Sequence, residues 1–411
     1  MASVATEEPL SLYHLLDPEV LANPYPLYAR LRSEAPVHWD PYLHAWIVTR
    51  YEDVITVLTK FSAERTPSPE YFAALGAPEV SPIAKVMVQQ MLFRDGKAHA
   101  RIRKLAAGAF LPARVRVLRD RIEKIATQLI DNIIARGTGE FDLLADFAEP
   151  LPAIVTAEML GVPVADHENL KNWSVTFAEM LGNFQHNPDR LPGVLRAVEN
   201  LSAYFAERIR EQRVQPTEGL VNTLLTAEID GDHLSDDEVI ANCIVTMVGG
   251  LETTTNLIGN GMLTLLRNPE QLERLRNEPG IMPAAIEELL RYESPSQHTA
   301  RLAPEDVMLG GKLIRKRQAV MAVMAAGNRD PERFADPDRL DFDRPDNRHL
   351  AFGWAAHFCF GAPLARAEAQ ISFESLLARF KQLTLIDAPL VWRDNLGLRG
   401  LKSLPLTYLA R

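Results

Sequence analysis

The sequence is poor in cysteine, in positive charge and in long apolar runs. Only Cys243 and Cys359 occur among its 411 residues, so we expect no disulfide framework and a reducing environment. The formal net charge of −10 excludes general nucleic-acid binding, because neutralising phosphates requires a basic face. No apolar run reaches membrane-spanning length, and the acidic start lacks the basic and apolar regions of a signal peptide. These absences predict a cytoplasmic protein without a membrane anchor.

Repeats, low-complexity tracts and Gly/Ser linkers are also missing. The composition, 47% hydrophobic and 24% charged, is that of a protein able to bury a large core. We therefore predict a single domain over residues 1–411, with 1–23 as an N-terminal extension and no fused reductase. We also expect a monomer.

Helical periodicity dominates the middle of the chain. The predicted helices are 98–109, 113–136, 142–160, 166–183, 192–213, 218–227, 235–266, 268–276, 282–292 and 362–381. Alternating and β-branched residues predict a hairpin within 37–50, strands on both sides of a Gly310-Gly311 turn and a strand pair at the end of the chain. Further helices are predicted at 24–33 and 51–61. Residues 61–94 are predicted to form a long loop with short helices, and 327–358 are predicted to be coil. The expected fold class is mainly α with small β-sheets.

The stretch from Phe352 to Gly361, FGWAAHFCFG, directly precedes a strongly helical segment. A lone cysteine is most often a small buried hydrophobe. A cysteine at a helix start, however, meets the positive end of the macrodipole and unpaired N–H groups, which lower its pKa and favour the thiolate. Gly353 and Gly361 would let the backbone approach a flat ligand, and the flanking phenylalanines would exclude water. The pattern predicts a haem-thiolate site in which Cys359 binds the iron.

A second motif, Val248-Gly249-Gly250-Leu251-Glu252-Thr253, lies within a predicted helix. Paired glycines in a helix can simply permit close packing, and a threonine run weakens a helix. Gly249 and Thr253, however, share one helix face, so a Thr253 hydroxyl bonded to the carbonyl of residue 249 would open a groove. Glu252 and Thr253 beside such a groove could relay protons to bound oxygen.

A third motif pairs Glu288 with Arg291 one helical turn later. Taken alone, it is a common ion pair worth about 0.2–0.5 kcal/mol. The pair alone is therefore weak evidence for any particular family, and its interpretation depends on the other two motifs.

Together the three motifs resemble those of the bacterial cytochrome P450 family. The cysteine stretch matches the family signature F-G-x-G-x-H-x-C-x-G at each specified position except Ala355, where the signature has glycine. Alanine disfavours a positive φ, so we expect the loop to be shifted or tighter there. The resemblance runs from about Pro24 to the end of the chain. It implies the triangular-prism cytochrome P450 fold with two small sheets, and haem b between the Gly249 helix and the Cys359 helix.

The resemblance also implies roles for individual residues. It assigns proton delivery to Glu252 and Thr253, the oxygen groove to Gly249 and Gly250, and a structural triad to Glu288, Arg291 and Arg344. The expected cofactor-binding residues are Phe352, Gly353, Cys359, Gly361 and four propionate-binding groups, namely His99, Arg103, Arg301 and His357.

Family substrate-contact regions map onto a largely apolar set of residues. The set comprises Met91, Leu92, Val245, Val248, Gln297, Thr299, Leu398 and the segment 170–190. A medium-sized lipophilic molecule is therefore expected, such as a polyketide, terpenoid, steroid or fatty acyl compound of secondary metabolism. Hydroxylation is the default reaction, and epoxidation, oxidative coupling or nitrogen-directed chemistry would use the same residues.

The resemblance further implies that O2 is the oxidant and that electrons come from NAD(P)H through a ferredoxin and a ferredoxin reductase. Candidate basic contacts for an acidic ferredoxin are Arg101, Lys104, Arg114 and Arg366. The alternatives are a peroxide-driven peroxygenase, a non-catalytic haem-thiolate sensor or carrier, and a helical binding protein without haem. The pair Glu252 and Thr253 favours oxygen activation over all three.

Overall fold

The computed structural model describes residues 10–110, 112–182 and 188–411. Its α-helices are α1 (Pro18–Ala22), α2 (Tyr25–Glu34), α3 (Tyr51–Lys60), α4 (Pro69–Ala74), α5 (Ser81–Met87), α6 (Gly96–Ala106), α7 (Pro112–Ala135), α8 (Pro150–Leu160), α9 (His167–Gly182), α10 (Leu191–Val214), α11 (Leu220–Thr226), α12 (Asp236–Arg267), α13 (Pro269–Asn277), α14 (Met282–Tyr292), α15 (Met324–Gly327) and α16 (Ala362–Arg379). None of these described helices is a candidate membrane span, since each is too short or too polar to cross a bilayer.

The strands are short and form two small sheets and two hairpins. They are β1 (Val37–Asp40), β2 (Ala45–Val48), β3 (Glu140–Asp142), β4 (Glu228–Ile229), β5 (Asp232–His233), β6 (Thr299–Leu302), β7 (Val307–Leu309), β8 (Lys312–Ile314), β9 (Ala319–Ala322), β10 (Phe380–Leu385) and β11 (Pro405–Ala410). One sheet has the order β1-β2-β9-β6, in which β2 and β9 run parallel, and the other has the order β10-β11-β3. The predicted mainly α fold with small sheets is confirmed.

Helix α12 is the long central element of the fold. It begins at a capping box, in which the Ser235 side chain accepts from the Glu238 N–H and the Glu238 carboxylate accepts from the Ser235 N–H. The helix packs against α8, α9, α10 and α16. Its first half joins a hydrophobic cluster with α5, α6 and α9 to α11, whereas its second half, from Leu257, joins a cluster with α7, α8, α14 and α16. Near the junction of the two clusters, one side of the helix borders a cavity, which Gly249 and Thr253 line.

The predicted boundaries fail in two places. The helix predicted over 142–160 is wrong at its start, where β3 is followed by a π-turn over Leu144–Ala148 and α8 begins at Pro150. Proline lacks an N–H and clashes inside a helix, but it suits a first turn. The hairpin β4–β5 was not predicted, although Asp230 and Gly231 at its turn adopt the positive φ values of 55° and 79° that an Asp-Gly turn favours.

Candidate active site

A cavity of about 370 Å³ lies between α12 and the segment that runs from Phe352 into α16. Most of the residues predicted for the site line it. They are Met91, Leu92, His99, Arg103, Val245, Val248, Gly249, Gly250, Thr253, Thr299, Arg301, Phe352, Gly353, His357, Cys359, Gly361 and Leu398. Residues that are separated by more than 300 positions in sequence therefore meet around one space.

The loop before Cys359 is closed by backbone hydrogen bonds. The Cys359 N–H donates to the Phe352 carbonyl at 2.7 Å, and the Phe358 N–H donates to the Ala355 carbonyl at 3.1 Å. Gly353 has a φ of +71°, which glycine adopts without steric cost. Ala355 keeps a φ of +56° as well, so the loop retains a left-handed residue where the family signature has glycine. Ala355 therefore carries backbone strain of about 1–2 kcal/mol, and the shifted or tighter loop stays a prediction.

The ionisation of Cys359 differs from the sequence-based expectation. Burial raises the pKa of its thiol, while the N–H groups of Gly361 and Ala362 and the charges of Arg103 and Arg366 oppose that rise. The helix-start effect that we predicted is present, but in the protein chain alone burial outweighs it. A metal cation at the sulfur would reverse this balance, because a coordinating thiol is deprotonated outright.

The predicted hydrogen bond between Thr253 and the carbonyl of residue 249 is present in α12. The Thr253 hydroxyl donates to the Gly249 carbonyl at 2.6 Å. That carbonyl oxygen therefore accepts a hydrogen bond from a side chain of the same helix. A side chain at Gly249 would meet open space, so the helix backbone itself borders the cavity there. Behind it, a side chain at Gly250 would collide with the Thr156 hydroxyl.

Glu252 does not line the cavity. Its side chain is 5% exposed and lies on the side of α12 towards Arg393. Burial raises the pKa of Glu252 to about 7, Arg393 opposes this rise, and Glu179 and Glu149 add to it. A carboxyl with a pKa near 7 can both take up and release a proton at neutral pH.

Two of the four predicted propionate-binding groups are cations in the cavity wall. Arg103 donates to the Phe358 carbonyl at 2.9 Å, and Arg301 donates to Thr299 Oγ1 at 3.0 Å. Arg301 Nε is buried and has no hydrogen-bond partner in the described part of the chain. Buried donors are nearly always hydrogen-bonded, so this N–H is available to a hydrogen-bond acceptor on a bound ligand.

The other two groups are neighbouring imidazoles whose rings are tilted by 40° to each other. The rings of His99 and His357 are 4.2 Å apart, and His357 Nε2 lies 3.3 Å from an Asp95 carboxylate oxygen. Burial lowers the pKa of His357 to about 4 and also lowers the pKa of His99, so at neutral pH the chain alone holds both as neutral rings. A neutral imidazole has one N–H to donate, and the Asp95 carboxylate accepts that of His357.

Arg65 is a further cation of the cavity that the sequence did not single out. It lines the cavity, and its guanidinium lies 4.5 Å from the centre of the Phe93 ring. Burial lowers its pKa to about 9, Arg301 adds to this effect and Asp95 opposes it. The stretch 61–94 has no clear period, so no sequence signal distinguished Arg65 from an ordinary loop charge.

The predicted triad is assembled and buried. Arg291 donates to both carboxylate oxygens of Glu288 at 2.8 Å, and both side chains are fully buried. Arg344 Nε lies 3.2 Å from each of the same oxygens. The Asp341 N–H and the Asn347 side-chain amide also donate to Glu288. This network fixes the coil that leads to the Cys359 loop onto α14.

The substrate side of the cavity is mostly apolar, and its loop is tied to α12. The Asn242 side chain accepts from the Met91 N–H at 3.0 Å and donates to the Gln89 carbonyl at 3.1 Å, which holds Met91 over the cavity. One predicted contact is wrong. Gln297 points away from the cavity, since it accepts from the Tyr28 hydroxyl and donates to the Ser294 carbonyl.

The neighbours of Gln297 take its place. Ser296 and His298 line the cavity, and Thr246 of α12 supplies another polar group. No described residue of the segment 170–190 lines this cavity; Met180 borders a smaller adjoining one, and residues 183–187 lie outside the described residues.

The site fits a flat, anionic, thiolate-ligated cofactor. It presents a thiol to the cavity, backbone without side chains at Gly249 and Gly361, and a buried cation with an unused donor at Arg301. These features define a protein built to hold haem by a cysteine.

Comparison with known proteins identifies the family. The family model described as "Cytochrome P450" matches residues 46–389. The chain is 37% identical over 394 residues to the biotin biosynthesis cytochrome P450 of Bacillus subtilis, covering 95% of this chain and 97% of that protein. It is 38% identical over 406 residues to cytochrome P450 monooxygenase PikC of Streptomyces venezuelae, covering 96% and 93% of the two chains. The chain therefore belongs to the cytochrome P450 family and is a haem-thiolate monooxygenase.

Solved structures agree with this assignment. P450BioI in complex with an acyl carrier protein that carries hexadec-9Z-enoic acid superposes with a TM-score of 0.88 at 36% identity, covering 95% of this chain and all of that one. The cytochrome P450 PksS of the Bacillus subtilis bacillaene polyketide synthase superposes with a TM-score of 0.85 at 34% identity, covering 96% and 99%. The cofactor that the family implies is haem.

Proposed function

We propose that this enzyme hydroxylates or epoxidises a medium-sized lipophilic molecule of secondary metabolism, using O2 and electrons that originate from NAD(P)H. The observation that carries the proposal is the hydrogen bond from Thr253 to the Gly249 carbonyl, which places a hydroxyl in the wall of the cavity that Cys359 also lines. The proposal includes a single haem domain over residues 1–411, acting as a cytoplasmic monomer.

Haem, when bound, supplies the oxygen-activating chemistry, and the chain supplies its binding and surroundings. Cys359 would ligate the iron, and Arg103 and Arg301 would pair with the two propionates. His99 would donate a further hydrogen bond to the same groups, and His357 would do so if its N–H turned from Asp95 to a propionate. Phe352 and its neighbours would keep water away from the sulfur.

Proton handling is assigned to Glu252 and Thr253. The Thr253 hydroxyl faces the cavity, whereas Glu252 lies behind it beside Arg393, which is paired with Glu149 at 2.6 Å. Glu252 would take a proton from solvent beside this half-buried charged cluster, and Thr253 would hold a proton at Oγ1 in the cavity wall. The pKa of about 7 suits Glu252 to that exchange.

Thr253→Ala is expected to uncouple electron consumption from product formation. The alanine cannot hold a proton at the cavity wall, and a positioned acid contributes about 100- to 10,000-fold. We expect the product formed per NADPH to fall by at least about tenfold, while NADPH is still consumed and peroxide accumulates. The measurement is the ratio of product to NADPH in a system reconstituted with ferredoxin and reductase.

Thr253→Ser is the matched control, because it keeps the hydroxyl and should keep most of the coupling. An equal ratio of product to NADPH in Thr253→Ala and the parent enzyme would show that Thr253 has no role in proton delivery. Turnover that needs only peroxide, and that is unaffected by Thr253→Ala, would favour the peroxygenase alternative instead.

The substrate class is proposed from the cavity wall. Met91, Leu92, Val245, Val248 and Leu398 present apolar surface, with a few hydroxyl and imidazole groups between them. The names of relatives fit this character: one solved relative is in complex with testosterone, and another carries a fatty acyl group on an acyl carrier protein.

A ferredoxin is the proposed electron donor, and Lys104 is the best supported contact. Arg101 is already paired with Asp232 and Glu238, and Arg366 is paired with both carboxylate oxygens of Glu287 at 2.7 Å. Two of the predicted docking cations are therefore neutralised within the protein, and the Arg114 side chain lies outside the described residues. Lys104 is exposed on α6, next to the arginine that contacts the Cys359 loop.

Lys104→Glu should slow reduction by an acidic ferredoxin at low salt and have less effect at high salt. Rim charges act mainly on the association rate, and salt screens them. Stopped-flow reduction rates at two ionic strengths test this expectation. Lys316→Glu, which reverses an exposed charge after β8, is the control. An unchanged rate for Lys104→Glu at low salt would exclude this contact.

A further inference from the structure

Arg65 is a cation of the cavity wall that pairs with no carboxylate of residues 10–110, 112–182 and 188–411. Its Nη1 atom donates to the Ala63 carbonyl at 3.3 Å, and its guanidinium lies against the Phe93 ring. The pKa of Arg65, about 9, keeps the group charged at neutral pH. A guanidinium has five N–H groups, so most of its donors remain for a ligand in the cavity.

Asp95 is the carboxylate whose charge acts on Arg65, but its oxygens are bonded elsewhere. They accept from the Ser62 hydroxyl at 2.6 Å and from the Ala63 N–H at 3.0 Å, and His357 Nε2 lies 3.3 Å away. Asp95 therefore attracts Arg65 through space and is not a hydrogen-bond acceptor for it.

Haem brings two carboxylates, and the proposed function already gives each of them a cation, Arg103 or Arg301. Arg65 is a third cation and also differs from these two in position. It borders both the main cavity and the smaller adjoining cavity of about 230 Å³. None of the predicted haem-binding residues lines that smaller cavity. Part of Arg65 therefore faces away from the residues that would hold haem.

The surroundings of Arg65 are apolar. Beside it, the smaller cavity is lined by Phe72, Ile83, Met87 and Phe93, and the main cavity by Met91 and Leu92. An anion that reaches Arg65 would be largely withdrawn from water, and its attraction to the guanidinium is stronger there than in bulk solvent. These surroundings fit an apolar molecule that carries one carboxylate.

We infer that the substrate is a lipophilic carboxylic acid, whose carboxylate pairs with Arg65 and whose apolar body lies in the main cavity. A guanidinium can donate two parallel hydrogen bonds to a carboxylate, which adds orientation to the charge attraction. Arg65 is thus a residue that determines substrate specificity. The inference rests on the proposed function and narrows its substrate class.

The test compares two ligands of equal chain length, dodecanoic acid and dodecan-1-ol. Each is titrated into the ferric holoenzyme, and the shift of the Soret band gives its affinity. The parent should bind the acid more tightly than the alcohol. Arg65→Gln should weaken binding of the acid by about 10- to 100-fold, the range for hydrogen bonds to a charged group, and leave binding of the alcohol unchanged. Arg65→Lys keeps the charge and should retain part of the preference for the acid.

Two outcomes would overturn the inference. One is equal affinity of the parent for the acid and the alcohol. The other is an Arg65→Gln variant in which both ligands lose affinity equally or not at all. Arg94→Gln is the matched control, because Arg94 lies on the same stretch of chain, donates to the Gln89 side chain at 3.1 Å and lines neither cavity. Both affinities should stay at the parent values in this control.

A haem propionate is the other carboxylate in reach of the cavity wall, and a second measurement distinguishes it. If Arg65 paired with a propionate, Arg65→Gln would release haem to apomyoglobin faster than the parent and keep the parent's ratio of acid to alcohol affinity. That result would refute the assignment of Arg65 to the substrate. The titrations need no turnover, so they report on Arg65 even if the enzyme proves not to use O2 and reductase electrons.

Discussion

The Cys359→Ser variant should lose the strongly red-shifted Soret band of the reduced protein under carbon monoxide, and its product formation should fall to background. The sulfur lies in the cavity wall, and backbone N–H groups of Gly361 and Ala362 approach it. A thiolate donates electron density to the iron that a serine hydroxyl, with its much higher pKa, does not supply at neutral pH. The spectrum of the dithionite-reduced protein under carbon monoxide measures this directly.

Cys243 provides the matched control. It is fully buried on α12, where burial alone raises the pKa of its thiol, and it lies in the hydrophobic cluster with α9 and α10. Cys243→Ala should keep the red-shifted band. A red-shifted band that survives in Cys359→Ser would show that another residue ligates the iron. The assignment of Cys359 as the iron ligand would then be wrong.

Glu288→Gln should destabilise the folded protein by about 3–5 kcal/mol and lower its haem content. The fully buried Glu288 carboxylate accepts from Arg291, Arg344, the Asp341 N–H and the Asn347 amide. A neutral amide leaves the buried arginine charge uncompensated and introduces donors where acceptors are needed. Because the same network positions the coil before the Cys359 loop, haem binding should weaken together with stability.

Denaturant unfolding and the haem-to-protein ratio measure the two effects. Glu34→Gln removes a carboxylate from an exposed pair with Arg30, so the same chemical change there should cost no more than about 0.5 kcal/mol. Equal stability of Glu288→Gln and the parent would mean that the network is only a by-product of packing.

The sequence predicted contacts that depend on local spacing. The bond between Thr253 and Gly249 follows from helix geometry, because residues four positions apart share a face. The meeting of Glu288 with Arg344, 56 positions away, came from the family resemblance and from no periodicity. The triad's burial, which changes it from a weak surface pair into a structural element, is a tertiary property.

The sequence-based expectations that differ from the structure also concern tertiary packing, which the sequence does not show. Gln297 was placed in the cavity, but adjacent residues of an extended segment face opposite sides, and the backbone path selected Ser296 and His298 instead. The sequence does not reveal that Arg101 is paired, because Asp232 and Glu238 are distant from it in sequence.

Ala355 shows that the left-handed backbone of the cysteine loop can form without the glycine that the family signature has at this position. The residue holds a left-handed backbone that alanine disfavours, so it cannot be the residue that defines the loop. The shape is imposed from outside, by the Cys359 hydrogen bond to Phe352 and by the coil anchored on Glu288. A search that demands glycine at this position would discard the chain, although Ala355 adopts a left-handed conformation that glycine adopts without steric cost. In this protein the conformation of the loop depends on the residues that surround it as much as on the residues of the loop itself.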